Sequence, residues 1–462
     1  MDDFTPSLVT LARWTSGLQL ADIPPAVQHA AKRCLIDTTG VALAGSRTSV
    51  AMQALALSRL TAADGQARAL GDERPVCAPA AAFVNATAAH ALDFDDNAYP
   101  AFVHGSAVIM PAALAVAQMQ GLSGARLLAA FVAGAECEYA LGKALTRQLY
   151  DRGWWTTGVL GVVGACAAAS HALDLTTGQT AAAFALALAG TGGMKATFGS
   201  DAKTLMAGSS SEAGVIAALL ARQGCTGPLD IVEHSRGLAA MFNGGRLEPV
   251  TMPGDSWSLL KPGVDIKRVP VCLSSHAAID ALREMLGRGV VAAPDIAEII
   301  CDVPPIVIQN LAHDLPVTRQ QAQFSMPFAM ACTVLLGDLS LAMLDDAVLG
   351  RADLRTWMKR VRMFSSDRWQ PRLLESAPEG AWVKVVRHDG SAVEGFCAMP
   401  LGSAAQPLSS AQLNDKFMQC STRAVPLPRA RRLLDDLLRL EQLPGVRHLL
   451  APEALNVETI EP

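Results

Sequence analysis

The chain has 462 residues, of which 51% are hydrophobic and 18% charged, and its formal net charge is −5. That length predicts two domains rather than one simple core, and the apolar bias calls for a large interior or a large subunit interface. The acidic balance lacks the basic footprint of a nucleic-acid partner, and ten cysteines scattered without a CxxC pair argue against zinc or iron–sulfur ligation and suit a reducing cytoplasm.

The first residues, MDDFTPSLVT, lack the charged-then-apolar pattern of a signal sequence, so a cytoplasmic protein with no membrane partner is expected. From about residue 5 to 250 one helical pattern follows another, broken by Gly, Pro and polar turns. Pro24-Pro25 opens a helix running to about Ala44. Ala78 to Leu92 (APAAAFVNATAAHAL) is apolar nearly all round, which places it inside the protein. Three aspartates follow it, Asp93, Asp95 and Asp96, with His104 eight residues beyond the last. Carboxylates at the end of a buried helix are costly unless cations or hydrogen bonds hold them. They either line a cavity wall together with His104 or cap the helices on both sides, and the local sequence leaves both readings open.

Helices are predicted over Ser106–Gln120, Leu122–Lys143, Thr156–Leu173, Gly178–Ala189 and Lys203–Gly224, the last stopped by Gly-Cys-Thr-Gly-Pro. No period-2 strand is legible in this half. The stretch without charge between Arg152 and Asp174 is long enough to suggest a membrane span. It contains Ser170, His171 and several Thr and Gly residues, and reads as a helix buried in protein. Gly158, Gly161 and Gly164 recur every third residue within it, which suits close helix packing; no strand precedes them, so they do not form a dinucleotide turn. Lys203 stands at a helix start among Gly and Ser, where free amides and an ammonium favour the same anion; the alternative is a surface lysine.

After Pro262 the texture changes. Ala297–Val303 and Ala381–Val386 are short and rich in β-branched residues, and the second leads through Asp389-Gly390 into Ser391–Met399 as a hairpin. Helices are predicted at Leu273–Leu286 and Phe324–Leu344. Lys267, Arg268, Cys272 and His276 (IKRVPVCLSSH) form a compact group at the boundary, either a second anion site or a structural Lys/Arg pair. The final helices, Ala411–Cys420 and Pro428–Leu440, are expected to pack back on the first domain. Arginines between 423 and 447 alternate with Leu433, Leu437 and Leu440, as on an amphipathic surface helix. The expected architecture is mainly α: an all-helical domain over 1–262, joined by helices from 406–462, and an α+β domain over 263–405. No HExxH, GxSxG, DDxxD or Cys/His cluster appears, and His90 with Asp93 offers too few ligands for a metal.

HALDFDD followed by His-x-Ser and an Ala-rich helix strongly resembles the MmgE/PrpD family. The resemblance continues in GVLGVVGACAAAS, KTLMAGSSSEAGVIAALLARQGCTGP, KRVPVCLSSHAAIDAL and AQFSMPFAMACTVLLGDLSLAML, in order along essentially the whole chain. It implies a helical domain with a smaller α+β lid, a homodimer, no metal or organic cofactor, and a small carboxylate substrate. The family's activities include 2-methylcitrate dehydration, cis-aconitate decarboxylation and iminodisuccinate epimerisation. Position by position, the resemblance assigns catalysis to Asp93, His104 and Lys203, and substrate binding to Lys267, Asn97 and Cys272. His104 and Asp93 form the acid/base pair, with the division between them open; the lysines hold carboxylates and enolate-like charge. Several positions depart from the family's habit. Asn97 replaces a common Thr, Trp155 stands where a histidine is usual, Cys272 replaces the histidine of the decarboxylases, and Phe328 replaces one of their tyrosines. These departures weaken a decarboxylase reading and leave dehydration in front of epimerisation, with a scaffold that has lost catalysis as the alternative of another class.

Overall fold

The structure is a computed structural model that describes residues 5–145, 148–254 and 256–451. Its helical body opens with α1 (Ser7–Gly17), α2 (Pro25–Gly45) and α3 (Ser49–Thr61), followed by a two-stranded sheet of β1 (Asp64–Arg68) and β2 (Pro75–Val76). Next come α4 (Ala78–His90), α5 (Gly105–Gln120), α6 (Gly124–Leu145), the short α7 (Gln148–Asp151), α8 (Thr156–Ala172), α9 (Thr177–Ala189), α10 (Asp201–Arg222) and α11 (Leu238–Asn243). Helix α4 begins with a proline in its first turn, where the missing N–H costs nothing, and nearly every residue on it is buried. It packs against α2, α5 and α10, while α8 packs against α5, α6 and α10.

The glycines of α8 permit that closeness. A Cβ added at Gly164 would stand 2.8 Å from Ile109 of α5 and 2.9 Å from Glu138 of α6, and one at Gly161 would stand 3.2 Å from Val108. All of α8 is buried, as the uncharged stretch predicted. Among the described residues one helix, α10, is long and apolar enough to cross a membrane; it packs against α4, α8 and α9 and carries buried Lys203.

The second half builds a four-stranded sheet in the order β4-β3-β5-β6, from β3 (Ile296–Asp302), β4 (Val361–Phe364), β5 (Ala381–Arg387) and β6 (Ala392–Cys397). Strand β3 runs parallel to β4 and antiparallel to β5, and β5 and β6 form the hairpin expected at Asp389-Gly390, with Gly390 at φ 84°. On one face lie α12 (His276–Gly287) and α15 (Met326–Leu336), over a core including Ile299, Cys301, Val383 and Val385. Between strands come α13 (Pro305–Asn310), α14 (Arg319–Ala322), α16 (Asp346–Leu349), α17 (Ala352–Met358) and α18 (Pro371–Ser376). The closing helices α19 (Ser410–Ser421) and α20 (Leu427–Leu438) both pack on α2. Buried Lys416 of α19 reaches back to Asp37 of α2 at 2.6 Å and to the Phe94 carbonyl at 2.9 Å.

Two expectations need correction. The first half is not wholly helical, because β1 and β2 pair within it. Their sequences, DGQAR and PV, are too short and polar to show a period, and tertiary contacts hold them: the Arg68 amide donates to Gln118 Oε1 at 2.9 Å. The helix predicted over Phe324–Leu344 ends at Leu336, where Gly337 takes a left-handed φ of 78°. A 3-10 turn at Leu341–Leu344 completes the segment.

Candidate active site

Helix α4 ends at His90, and Asp93 turns the chain sharply with a left-handed φ of 46°, a conformation aspartate tolerates better than most residues. The turn aims the Asp93 carboxylate between two lysines. Lys203 Nζ donates to Oδ1 at 2.7 Å, and Lys267 Nζ donates to Oδ2 at 2.9 Å and to the Asp93 carbonyl at 2.7 Å. Lys203 comes from the first turn of α10 and Lys267 from the segment entering the lid. Burial pushes the Asp93 carboxyl up, but Lys203 and Lys267, aided by His104 and His90, outweigh it and hold the group well below the usual carboxylate range. The same carboxylate, with Asp95, raises the Lys267 ammonium against the downward pull of its burial.

The other two aspartates have separate tasks. Asp95 Oδ2 accepts from His90 Nδ1 at 2.8 Å. Asp96 accepts at its carboxyl from the amide and hydroxyl of Ser106, in the first turn of α5, although His104 and not Asp96 stands at the N-cap. Its carboxyl is pushed up to about 7, chiefly by burial. The Asp96 carbonyl accepts from His104 Nδ1 at 2.8 Å, which fixes the ring's proton on Nδ1 and leaves the lone pair on Nε2. Burial drives His104 down; Asp95 opposes this, but Lys267 and Lys203 add to it, and the ring is held at about 3. His104 is therefore a neutral imidazole at pH 7.

A cavity of about 40 Å³ brings these groups together where the body meets the lid. Asp93, His104, Lys203, Asn97 and Cys272 all line it, and Lys267 lies beneath Asp93 with its side chain fully buried. Asn97 pairs its backbone with Asp265 in both directions, at 2.9 and 2.8 Å, tying the aspartate loop to the chain entering the lid. Burial first, then Asp93 and Glu379, pushes the Cys272 thiol up to about 11, so it stays protonated. Trp155 lies tilted against His90 with ring centroids 5.2 Å apart and, with Phe198 and Phe324, surrounds the Lys203 ammonium at 4.9–5.4 Å. Phe328 does not line the cavity; it is fully buried in the lid's second core. Sequence reasoning missed Tyr150 of α7 in the body and Asn310 and Glu379 of the lid, all of which line the cavity. Each is a lone polar residue in or beside a short element, with no motif around it.

His90, Asp95 and His104 come close enough together to be tested as a metal site. Their donors do not fit one. His104 Nδ1 carries a proton donated to a carbonyl, His90 Nδ1 donates to Asp95, and both rings lie in the field of Lys203. A larger groove of about 540 Å³ on the outer face of the lid sheet is lined by Arg362, Arg368 and Trp382. Its two arginines are already paired, Arg362 with Glu298 and Arg368 with Glu394, and Lys384 also lines it.

A mostly helical body and an α+β lid together enclose a lysine-clamped carboxylate and a neutral histidine in one cavity. The chain belongs to the MmgE/PrpD family: residues 9–249 match its N-terminal domain and residues 269–440 its C-terminal domain. Curated relatives are similar over nearly their full length. They include the cis-aconitate decarboxylase of Homo sapiens, 27% identical across 92% of this chain and 90% of that one. The cis-aconitate decarboxylase-like protein oryM of Aspergillus oryzae is 28% identical across 96% of each chain. The cis-aconitate decarboxylase of Mus musculus is 25% identical across 92% of this chain and 89% of that one.

Proposed function

We propose that this enzyme of the MmgE/PrpD family is a cofactor-independent lyase. It moves a proton next to a carboxylate of a small di- or tricarboxylate and eliminates water. The observation that carries the reading is the clamp of Lys203 and Lys267 on Asp93, set in one cavity with an uncharged His104 whose Nε2 is unprotonated. A substrate carboxylate that joins Asp93 at the two lysines has its charge met by both. When His104 Nε2 takes the adjacent C–H proton, the electron pair flows into that carboxylate as an enediolate, which the ammonium groups stabilise. The resulting imidazolium can return its proton to the departing hydroxyl, so a single residue serves both steps and water leaves with atoms and charge balanced. Asp93, held far below the carboxylate range, acts as the anion that keeps the lysines in place.

Decarboxylation is the second reading, favoured by the names of the relatives, and Cys272 in place of their histidine weighs against it. The test is proton NMR in deuterated water with citrate-, aconitate- and aspartate-derived acids. A new vinyl signal supports dehydration, and loss of carbon dioxide supports decarboxylation. Deuterium uptake with retained substrate points instead to epimerisation. No reaction or exchange with any acid, together with unchanged ligand binding in Lys203→Ala, overturns the enzyme reading.

A further inference from the structure

One wall of the cavity carries a chain of hydrogen bonds that all point one way and that starts in the body and ends in the lid. Tyr150 Oη donates to Asn310 Oδ1 at 2.8 Å, Asn310 Nδ2 donates to Ser274 Oγ at 3.1 Å, and Ser274 Oγ donates to Glu379 Oε1 at 2.9 Å. The other carboxylate oxygen, Oε2, accepts from Tyr99 Oη at 2.6 Å, across the junction of body and lid. Both oxygens of Glu379 accept hydrogen bonds from hydroxyl groups. Each retains acceptor capacity, because a carboxylate oxygen has two lone-pair sites. Acceptance at both oxygens of Glu379 ends the chain, and the donors behind it point toward that carboxyl.

Charge leads to the same place. Among the described residues, the cavity sets two lysines, Lys203 on its wall and Lys267 beneath, against two carboxylates, Asp93 and Glu379. The next cation, Lys195, stands over the Tyr150 ring at 3.7 Å and is not part of the lining. A ligand built only of carboxylates would press one of its anions toward Glu379. A ligand with a hydroxyl or N–H on that side would donate to it.

We propose that Glu379 determines specificity by accepting a hydrogen bond from the substrate, so that the site selects hydroxy- or amino-carboxylates over acids made of carboxylates alone. The proposal rests on the small-carboxylate reading above and names the chemistry of its substrate. It assigns the two walls different tasks: the lysines take a carboxylate, and Glu379 takes the donor on the neighbouring carbon. For an elimination, that donor is the hydroxyl that leaves.

The experiment measures calorimetric binding of matched acids that differ by one donor: malate against succinate, citrate against tricarballylate, and aspartate against succinate. In the wild-type enzyme at least one donor-bearing acid is expected to bind tenfold or more tightly than its partner. Glu379→Gln keeps the shape and an acceptor for Tyr99 but presents an amide, and should bring that ratio close to one. Tyr99→Phe breaks the body–lid hydrogen bond and leaves the carboxylate, so the preference should survive in it. Equal binding of both members by the wild type, an unchanged ratio in Glu379→Gln, or an equal loss of preference in Tyr99→Phe overturns the proposal. If no acid of either kind binds, the small-carboxylate reading itself fails, and this proposal with it.

Discussion

Replacing Lys267 by methionine tests whether the lysine clamp is an energetic unit. Methionine keeps the unbranched stem and removes the ammonium, which makes two hydrogen bonds to Asp93 from a side chain with 0% exposure. Asp93 then keeps one cation at 2.7 Å on Oδ1, while its Oδ2 and its carbonyl lose their donor. Removing one partner of a buried ion pair costs about 3–5 kcal/mol. The low end, about 3 kcal/mol, is expected because Lys203 remains in place. Asp93→Asn should also destabilise the protein, since it removes the carboxylate charge that both buried ammonium groups bond. The double variant should cost less than the sum of the single ones, with a coupling of about 1–3 kcal/mol. The assay is urea unfolding followed by circular dichroism at pH 7.5. The depressed Asp93 group contributes stability that is present above its unfolded pKa and lost only as pH falls through the folded one, so at pH 7.5 the contribution is complete. Single effects that add within about 0.5 kcal/mol would refute the clamp.

Two further outcomes follow from the aspartate loop. Asp96 is held at about 7, so between about pH 4 and 7 the unfolded chain releases a proton that the folded one keeps, and stability falls as pH rises across that window. Asp96→Asn should flatten the slope by up to a few kcal/mol between pH 5 and 8, read from unfolding midpoints at the two pH values; an unchanged slope contradicts the assignment. Because the histidine nitrogens nearest Asp95 are engaged as donors, dialysis against EDTA should leave turnover unaltered, and activity that is lost and then restored by zinc would show that the imidazoles ligate.

Much of this architecture can be read from the chain because its signals are local. The Ala-rich run of α4, the Pro24-Pro25 start of α2, the glycine period of α8 and the Asp-Gly turn between β5 and β6 each carry their own physical reason. The cluster of Asp93, His104 and Lys203 could be picked out because charge in an apolar sequence has to be explained. Elements held by tertiary contact were not legible: β1, β2 and the four-residue β4 have no period to display. Glu379 was hidden for a related reason. Nothing about the turn Pro378-Glu379-Gly380 reveals that it will fold against Tyr99, 280 residues away in sequence. The aspartates divide their contacts, since Asp96 accepts from Ser106 in the first turn of α5 while Asp93 faces the lysines.

A histidine held at about 3 is a weak base, and the causes of that value indicate how it changes during turnover. Burial comes first; Asp95 opposes it, and Lys267 and Lys203 then push the ring further down. A substrate carboxylate seated on the lysines adds negative charge where that positive field originates, so His104 becomes more basic when the site fills. Each unit of increase corresponds to about 1.4 kcal/mol of extra proton affinity, present only with substrate beside it. In the proposed mechanism the active form is the neutral ring, so activity should be lost as pH falls through its pKa. The free enzyme, reported by kcat/KM, should show no acidic limb from His104 between pH 5 and 8, whereas the occupied enzyme, reported by kcat, should show one at higher pH. Parallel pH profiles of the two parameters for wild type are the measurement. Acidic limbs that coincide would mean that the lysines' field on His104 does not respond to substrate, and the base would then need another source of its strength.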